Sequence, residues 1–278
     1  MRYNLKEILN LAEKGGFAVP AFNVYNLETL MGVANAAEKT GAPIIIQMYS
    51  RLFDTQTAEF MAPVIKSVMN RLKSPVAFHL DHGAGIAECI RAMRLGTTSV
   101  MIDASMLPME ENTALTKRVV DMAREAGISV EGELGHIGST SDETQCACTE
   151  VADAAAYAEA SGVDALAIMV GTAHGKYKKT PSLRIDRIAE IHKVTDVHLV
   201  LHGGSGVPDE QIKAAIDAGI RKINFGTDVC YAFMDAYKQL DPYSAPLDIT
   251  MSRTAQSVEA YAAEKIKLLG ADRYGQVK

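Results

Sequence analysis

The chain has 278 residues, 48% of them apolar and 22% charged, the make-up of a soluble globular protein with ample length for a buried core. Asp and Glu outnumber Lys and Arg by 34 to 28, for a net charge of −6; this excludes a broad electrostatic grip on a nucleic-acid backbone and leaves room for a local anion pocket. No apolar run approaches the ~20 residues of a membrane span and the first residues carry no signal-peptide core. A cytoplasmic protein without membrane or nucleic-acid partners is expected.

Short β-rich runs bounded by turn residues predict a first strand at 17–24, followed by a helix over 26–40 with Asn26 as its N-cap. Strands at 42–50, 76–82 and 99–104 come next, then a helix over 109–125, a strand at 128–134 and a helix over 151–161. Strands at 165–171, 198–202 and 222–226 complete a set of eight, with a helix over 208–218 that starts on Pro208 and an additional helix over 249–269. Gly41, Gly96, Gly127, Gly162 and Gly219 each stand between a helical pattern and the next strand, where a left-handed cap is needed. The strands are continuous apolar runs, as in Ile44-Ile45-Ile46, which implies a parallel sheet covered on both faces. Eight strand–helix units suit a closed (β/α)8 TIM barrel of ~250 residues with an extra C-terminal helix. Residues 1–278 are read as one such domain. The cysteines, Cys89, Cys146, Cys148 and Cys230, are too few for a disulfide framework and are expected to be free thiols.

In this barrel the active site lies at the carboxyl ends of the strands. The residues leaving them are Asn23, Ser50, Asp81 with His82, Asp103, Glu133, His174 a few positions past the sixth strand, His202 and Asn224. Three imidazoles on separate strands can converge on one cation, and three histidines with an open fourth position make a Lewis-acid zinc site. His79, deeper in its strand, is read as supporting or structural. After the seventh strand, His202-Gly203-Gly204-Ser205-Gly206-Val207-Pro208 is a glycine-rich turn into a helix, whose amides and dipole suit a phosphate. The eighth strand leaves through Asn224, Phe225, Gly226 and Thr227, and these two loops are where the fold commonly holds phosphate. The stretch 136–149, rich in Ser, Thr and Gly, suits a loop over the site.

From Ala18-Val19-Pro20-Ala21-Phe22-Asn23 to Asn224-Phe225-Gly226-Thr227 the chain resembles the class II, metal-dependent ketose-bisphosphate aldolases, the fructose- and tagatose-bisphosphate type. The resemblance rests on His79-Leu80-Asp81-His82, Gly171-Thr172-Ala173-His174-Gly175 and His202-Gly203-Gly204-Ser205-Gly206, and on the segments that carry Asp103 and Glu133. It implies reversible cleavage of a ketose 1-phosphate or 1,6-bisphosphate into dihydroxyacetone phosphate and an aldehyde such as glyceraldehyde 3-phosphate. It also implies zinc on His82, His174 and His202, with Asp103 and Glu133 as alternate or second-site ligands, and Asp81 as the general base. Asn23, Ser50, Gly175, Gly203, Gly204, Ser205, Asn224, Gly226 and Thr227 would hold the substrate and its phosphate, beside a monovalent cation, Na+ or K+. Homodimers or homotetramers are implied as well.

Where the family loop carries a Gly-Gly and an acidic pair, this chain has a shortened segment in which Glu143 or Asp142 would exchange a proton with the three-carbon product. Arg273 resembles an arginine that meets the distal phosphate in tagatose-type members, and Ser50-Arg51 leaves the second strand on the side of the site; a non-phosphorylated or acidic aldehyde half stays open. Two other readings of the residues stay open too. Three histidines and an aspartate on a barrel could activate water in a zinc hydrolase, and Lys176 could form a Schiff base.

Overall fold

The computed structural model describes residues 2–135, 148–173, 175, 177, 180–241, 243 and 245–276. Asn4 opens α1 (Leu5–Gly15): its side chain accepts from Glu7 N–H while the Glu7 carboxylate accepts from the Asn4 backbone, a reciprocal cap that satisfies two orphan amides. There follow β1 (Val19–Asn23), α2 (Leu27–Thr40), β2 (Ile44–Tyr49), α3 (Gln56–Arg71), β3 (Val76–Gly83), α4 (Ile86–Leu95) and β4 (Ser99–Ile102). The second half runs α5 (Met109–Glu125), β5 (Ser129–Leu134), α6 (Val151–Ser161), β6 (Ala165–Ile168), α7 (Ile185–Val194), β7 (His198–Leu201), α8 (Asp209–Asp217), β8 (Ile220–Phe225), α9 (Thr227–Lys238) and α10 (Leu247–Leu268).

The eight strands pair in parallel, each with its neighbours in chain order, and β8 closes on β1. The expected barrel is therefore what forms. Asn26 caps α2 as its position predicts, and Gly41, Gly96 and Gly162 take left-handed caps, with Gly127 and Gly219 at positive φ one residue beyond theirs. The helix over 227–238, which lacks an expectation of its own, begins directly after the eighth strand.

Charge and polarity lie inside the barrel. The Lys222 ammonium on β8 reaches the Glu131 carboxylate on β5, a contact that strands three apart around a closed barrel make through its interior. Side chains two apart share a face, so Glu131 with Glu133, Lys222 with Asn224 and His79 with Asp81 all point inward. Phe78, Leu80, Ile223 and Phe225, on the alternate positions, face the helices and are buried there. The continuous apolar reading of the strands holds for their outer face and fails for the inner one.

The extra C-terminal helix packs on α2 and α9. It buries Ala255, Val258, Ala262 and Ile266, roughly 1.5–3 kcal/mol for each large aliphatic. The approach is close: a Cβ on Gly32 of α2 would stand 2.7 Å from the Val258 side chain, so any larger residue there pushes the two helices apart. After α10, Leu269 accepts from the Ala18 amide at the amino end of β1, so the short 3-10 helix Ala271–Gln276 sits at the end of the barrel opposite to the strands' carboxyl ends. Among the described residues no helix is long and apolar enough to cross a membrane.

Candidate active site

Asp81 and His82 are consecutive residues of β3, and in a regular strand they would face opposite ways. They do not, because the pairing of β3 with β4 shifts register between Leu80 and Gly83, and His82 takes φ 52°, the one non-glycine positive φ among the described residues. Such a backbone is costly for a residue with a Cβ and marks a place where surroundings impose it. The result is that both side chains enter the mouth of the barrel.

Asp81 is held from two sides. Asn23 Nδ2 of β1 donates to its Oδ2 at 2.7 Å and Asn224 Nδ2 of β8 to its Oδ1 at 3.1 Å. Asn23 is itself set by Gln47 Nε2, which donates to its Oδ1 at 2.8 Å. Asn23, Gln47, Asp81 and Asn224 are all buried. The carboxylate is thus aimed by a relay of amides, and Asn23 and Asn224 position it.

The two imidazoles stand beside it. His82 Nε2 and His202 Nδ1 face each other at 3.0 Å, while the remaining nitrogen of each ring meets a carboxylate. His82 Nδ1 is 2.7 Å from Asp103 Oδ2, and His202 Nε2 is 2.8 Å from Glu131 Oε1. A carboxylate accepts only, so it draws the N–H of each neutral ring to itself and leaves a lone pair on each facing nitrogen. Two lone pairs in opposition require a cation or a proton between them. Glu133 Oε2 lies 3.6 Å from His202 Nδ1 and 4.0 Å from His82 Nδ1. Burial works against charge on His82, and Asp81, Asp103 and Glu133 overcome it, raising its pKa to about 9. Burial also favours the neutral acid at Asp103, but the bond to His82 and those from the Ser105 hydroxyl and amide hold it well below the ordinary carboxylate range. Positive charge is what this cluster is built to take.

The donor set fits a divalent ion of the kind that accepts imidazole and carboxylate together. Asp81, His82 and His202 offer ligand atoms all within 4.8 Å of one another, as do His82, Asp103 and Glu133. His174, the third expected imidazole, lies outside the described residues, as do Glu143 and Asp142 of the expected proton-exchanging loop and the alternative Lys176.

Beneath the facing histidines runs a network that the strand pattern does not announce. Glu131 Oε2 takes the Lys222 ammonium at 2.7 Å, and His79 Nε2 stands 3.5 Å from the same oxygen with Nδ1 2.8 Å from Ser99 Oγ. Burial, and then Lys222, pushes His79 well below its usual pKa, so it sits there as a neutral ring. The available signal was a charge inside an apolar strand two positions from a site residue: Glu131 before Glu133 and Lys222 before Asn224.

The two loops expected at a phosphate do meet. Gly204 N–H donates to the Asn224 carbonyl, and Asp228 N–H at the start of α9 donates to Ser205 Oγ at 3.3 Å. A Cβ on Gly204 would stand 2.5 Å from Ile223 Cγ2 and 3.0 Å from the Asn224 carbonyl, so only glycine lets the loops close this tightly. Gly203, Gly204, Ser205, Gly226 and Thr227 therefore gather where α9 begins. Tyr177, not anticipated, ties the loop after β6 to this group: its hydroxyl donates to the Gly203 carbonyl and accepts from Ala173 N–H, both at 2.9 Å. Gly175 lies in the same loop with φ 107°. Ser50 follows β2 at the rim. Arg273 is a correction: in the 3-10 helix Ala271–Gln276 it sits at the opposite end of the barrel and does not reach the mouth of its own chain.

Residues 3–273 match the profile of the family described as fructose-bisphosphate aldolase class-II. A sulfofructosephosphate aldolase of Alkalicoccus urumqiensis is 40% identical over 275 residues, 96% of each chain. Among solved structures, the YdjI aldolase of Escherichia coli K12 superposes with a TM-score of 0.91 at 35% identity over the whole of both chains. A fructose-bisphosphate aldolase of Campylobacter jejuni shares the fold, with a TM-score of 0.83 at 24% identity over 97% of this chain and 96% of that one.

Proposed function

Because the chain belongs to the class II fructose-bisphosphate aldolase family and is a lyase of the aldolase type, we propose that it carries out the zinc-dependent, reversible cleavage of a ketose 1-phosphate into dihydroxyacetone phosphate and an aldehyde. The observation that carries this reading is the pair of facing nitrogens on His82 and His202 beside the doubly held carboxylate of Asp81. Residues 1–278 act in this reading as one TIM-barrel domain.

Cleavage requires a base that takes the C4 hydroxyl proton while the C3–C4 bond breaks and C4 becomes the aldehyde carbonyl. Asp81 is assigned that proton and returns it in the condensing direction. Asn23 and Asn224 hold its two oxygens, so the proton transfer needs no search through rotamers. His82, His202 and His174 would hold the zinc ion, with Asp103 and Glu133 as alternate ligands, and the ion would supply Lewis-acid polarisation of the ketose carbonyl. Asp103 and Glu131 fix the orientation of the two histidines through their other nitrogens. Gly175, Gly203, Gly204, Ser205, Gly226 and Thr227 bind the phosphate of the three-carbon half, supported by the dipole at the start of α9. Glu143 is assigned the proton exchange with that half.

The phosphate cradle favours this chemistry over a zinc hydrolase of amides or esters, which has no use for one. A second reading of the substrate has its own support: the name of the relative that is 40% identical brings a sulfonated ketose phosphate alongside the tagatose- and fructose-type bisphosphates. A panel of ketose 1-phosphates differing in C4 configuration and in the C6 substituent, followed by coupled detection of dihydroxyacetone phosphate, tests the proposal. Release from at least one of them is expected, and release from none refutes it.

A further inference from the structure

Asp81 meets the aldehyde half at its C4 hydroxyl, the far end of that half has no assigned binding group, and one rim residue is placed to serve it. Arg51 directly follows Ser50 in the short 3-10 helix Ser50–Leu52 at the end of β2. Among the described residues within three positions of the carboxyl ends of the eight strands, it is the one cationic side chain, and it makes no ion pair with a described carboxylate, whereas Arg184, at the far end of the loop after β6, pairs with Asp186 at 2.7 Å. Neighbouring cations are already committed: Arg91 pairs with Asp54 at 2.9 Å, and Lys222 is buried against Glu131.

Aromatic rings hold Arg51 toward the site. Its Cζ lies 4.8 Å from the centre of the Tyr49 ring and 6.0 Å from that of Tyr25, and the Tyr49 ring is 5.6 Å from the His82 ring. Tyr49 is also the register partner of Asp81. A guanidinium is therefore parked two ring contacts from the candidate metal ligand and one strand from the candidate base. With the three-carbon phosphate at the loops after β7 and β8 and the breaking bond at Asp81, the aldehyde half falls on the β3 side of the mouth, which β2 borders as the strand paired with β3. Stacking on tyrosines leaves the guanidinium N–H fork free, and that fork matches a tetrahedral oxyanion in two-point contact.

We propose that Arg51 binds a terminal oxyanion, phosphate or sulfonate, on the far end of the aldehyde half, and so selects substrates with an anionic C6 substituent. The proposal rests on the aldolase reading of the same site. Arg51 is exposed and packs into no core, so Arg51→Met is expected to fold.

The test is steady-state cleavage by wild type and Arg51→Met of three ketose 1-phosphates, ending at C6 in phosphate, in sulfonate and in a plain hydroxyl. For whichever anionic substrate the wild type prefers, kcat/KM is expected to fall about 10- to 100-fold in Arg51→Met, chiefly through KM. Arg51→Lys should recover part of the loss, and the hydroxyl-ended substrate should change by less than about twofold. The preferred anion distinguishes phosphate from sulfonate. An equal loss on all three substrates, or no loss on any, overturns the assignment of Arg51 alone. Wild-type protein that cleaves none of the three overturns the aldolase reading and this proposal with it.

Discussion

Replacing Lys222 by Met removes the cation from a carboxylate that water cannot reach. Lys222 and Glu131 are both 0% exposed and 2.7 Å apart, and the groups left around Glu131 are the rings of His202 at 2.8 Å and His79 at 3.5 Å. Breaking a buried pair by deleting one partner costs about 3–5 kcal/mol, because the survivor keeps its charge without its counter-ion. For a chain of this size that lowers Tm by roughly 6–20 °C. Adding Glu131→Gln to Lys222→Met removes the stranded charge and should recover most of that loss, leaving an interaction free energy well above 1 kcal/mol in the double-mutant cycle. Melting is followed by circular dichroism on chelated protein, so that metal linkage does not contribute. Glu131 also orients His202, so Glu131→Gln alone should weaken zinc binding about 10- to 100-fold in a competition titration with a chromogenic chelator. Lys222→Met that melts with the wild type, together with unaltered zinc affinity in Glu131→Gln, would refute the view that this buried triad sets the histidine.

Asp81→Ala should lower cleavage by about 10²–10⁴-fold, the share that a positioned acid–base group supplies, while equilibrium dialysis still finds zinc bound; near-normal turnover would remove Asp81 as the proton carrier. A separate effect of pH is expected at the amino end of β7, where burial first, with Arg221 and Lys6 adding to it and Glu13 opposing, lowers the pKa of His198. The unfolded chain then binds the proton more readily, so this contribution to stability is present above about pH 6.5 and is lost as pH falls toward the folded value. His198→Gln should therefore lose less Tm between pH 7 and pH 5 than the wild type, and identical slopes would contradict the assignment.

The eight strands, the closed barrel and the extra helix follow from features the chain displays locally: turn residues, apolar runs and glycines at helix ends. Asp81, His82, Asp103, Glu133 and His202 were identifiable because a barrel places its strand ends together whatever lies between them in sequence. Two features arise only in the folded chain. Nothing in Leu80-Asp81-His82-Gly83 announces a register shift or a left-handed His82, since both follow from how β4 pairs. The direction in which Asn23 and Asn224 spend their amides also depends on the tertiary neighbour, and they turn to Asp81. Glu131 and Lys222 were readable in principle, as charges inside apolar strands at a spacing of two, but runs such as Ile44-Ile45-Ile46 draw attention to the outer face. The α1 helix carries its own start signal in Asn4 and Glu7. Arg273 shows the opposite limit, because a motif near the end of a chain does not state which end of the barrel it returns to.

The most direct measurement is the metal content and turnover of one preparation before and after chelation, with zinc or cobalt then added back. Loss of activity on chelation, recovery at one equivalent of ion, a cobalt absorption spectrum with nitrogen-ligand character, and loss of both ion and activity in His82→Ala and His202→Ala are expected. Full turnover in protein stripped of divalent ions, or histidine variants that bind the ion as the wild type does, would contradict the account.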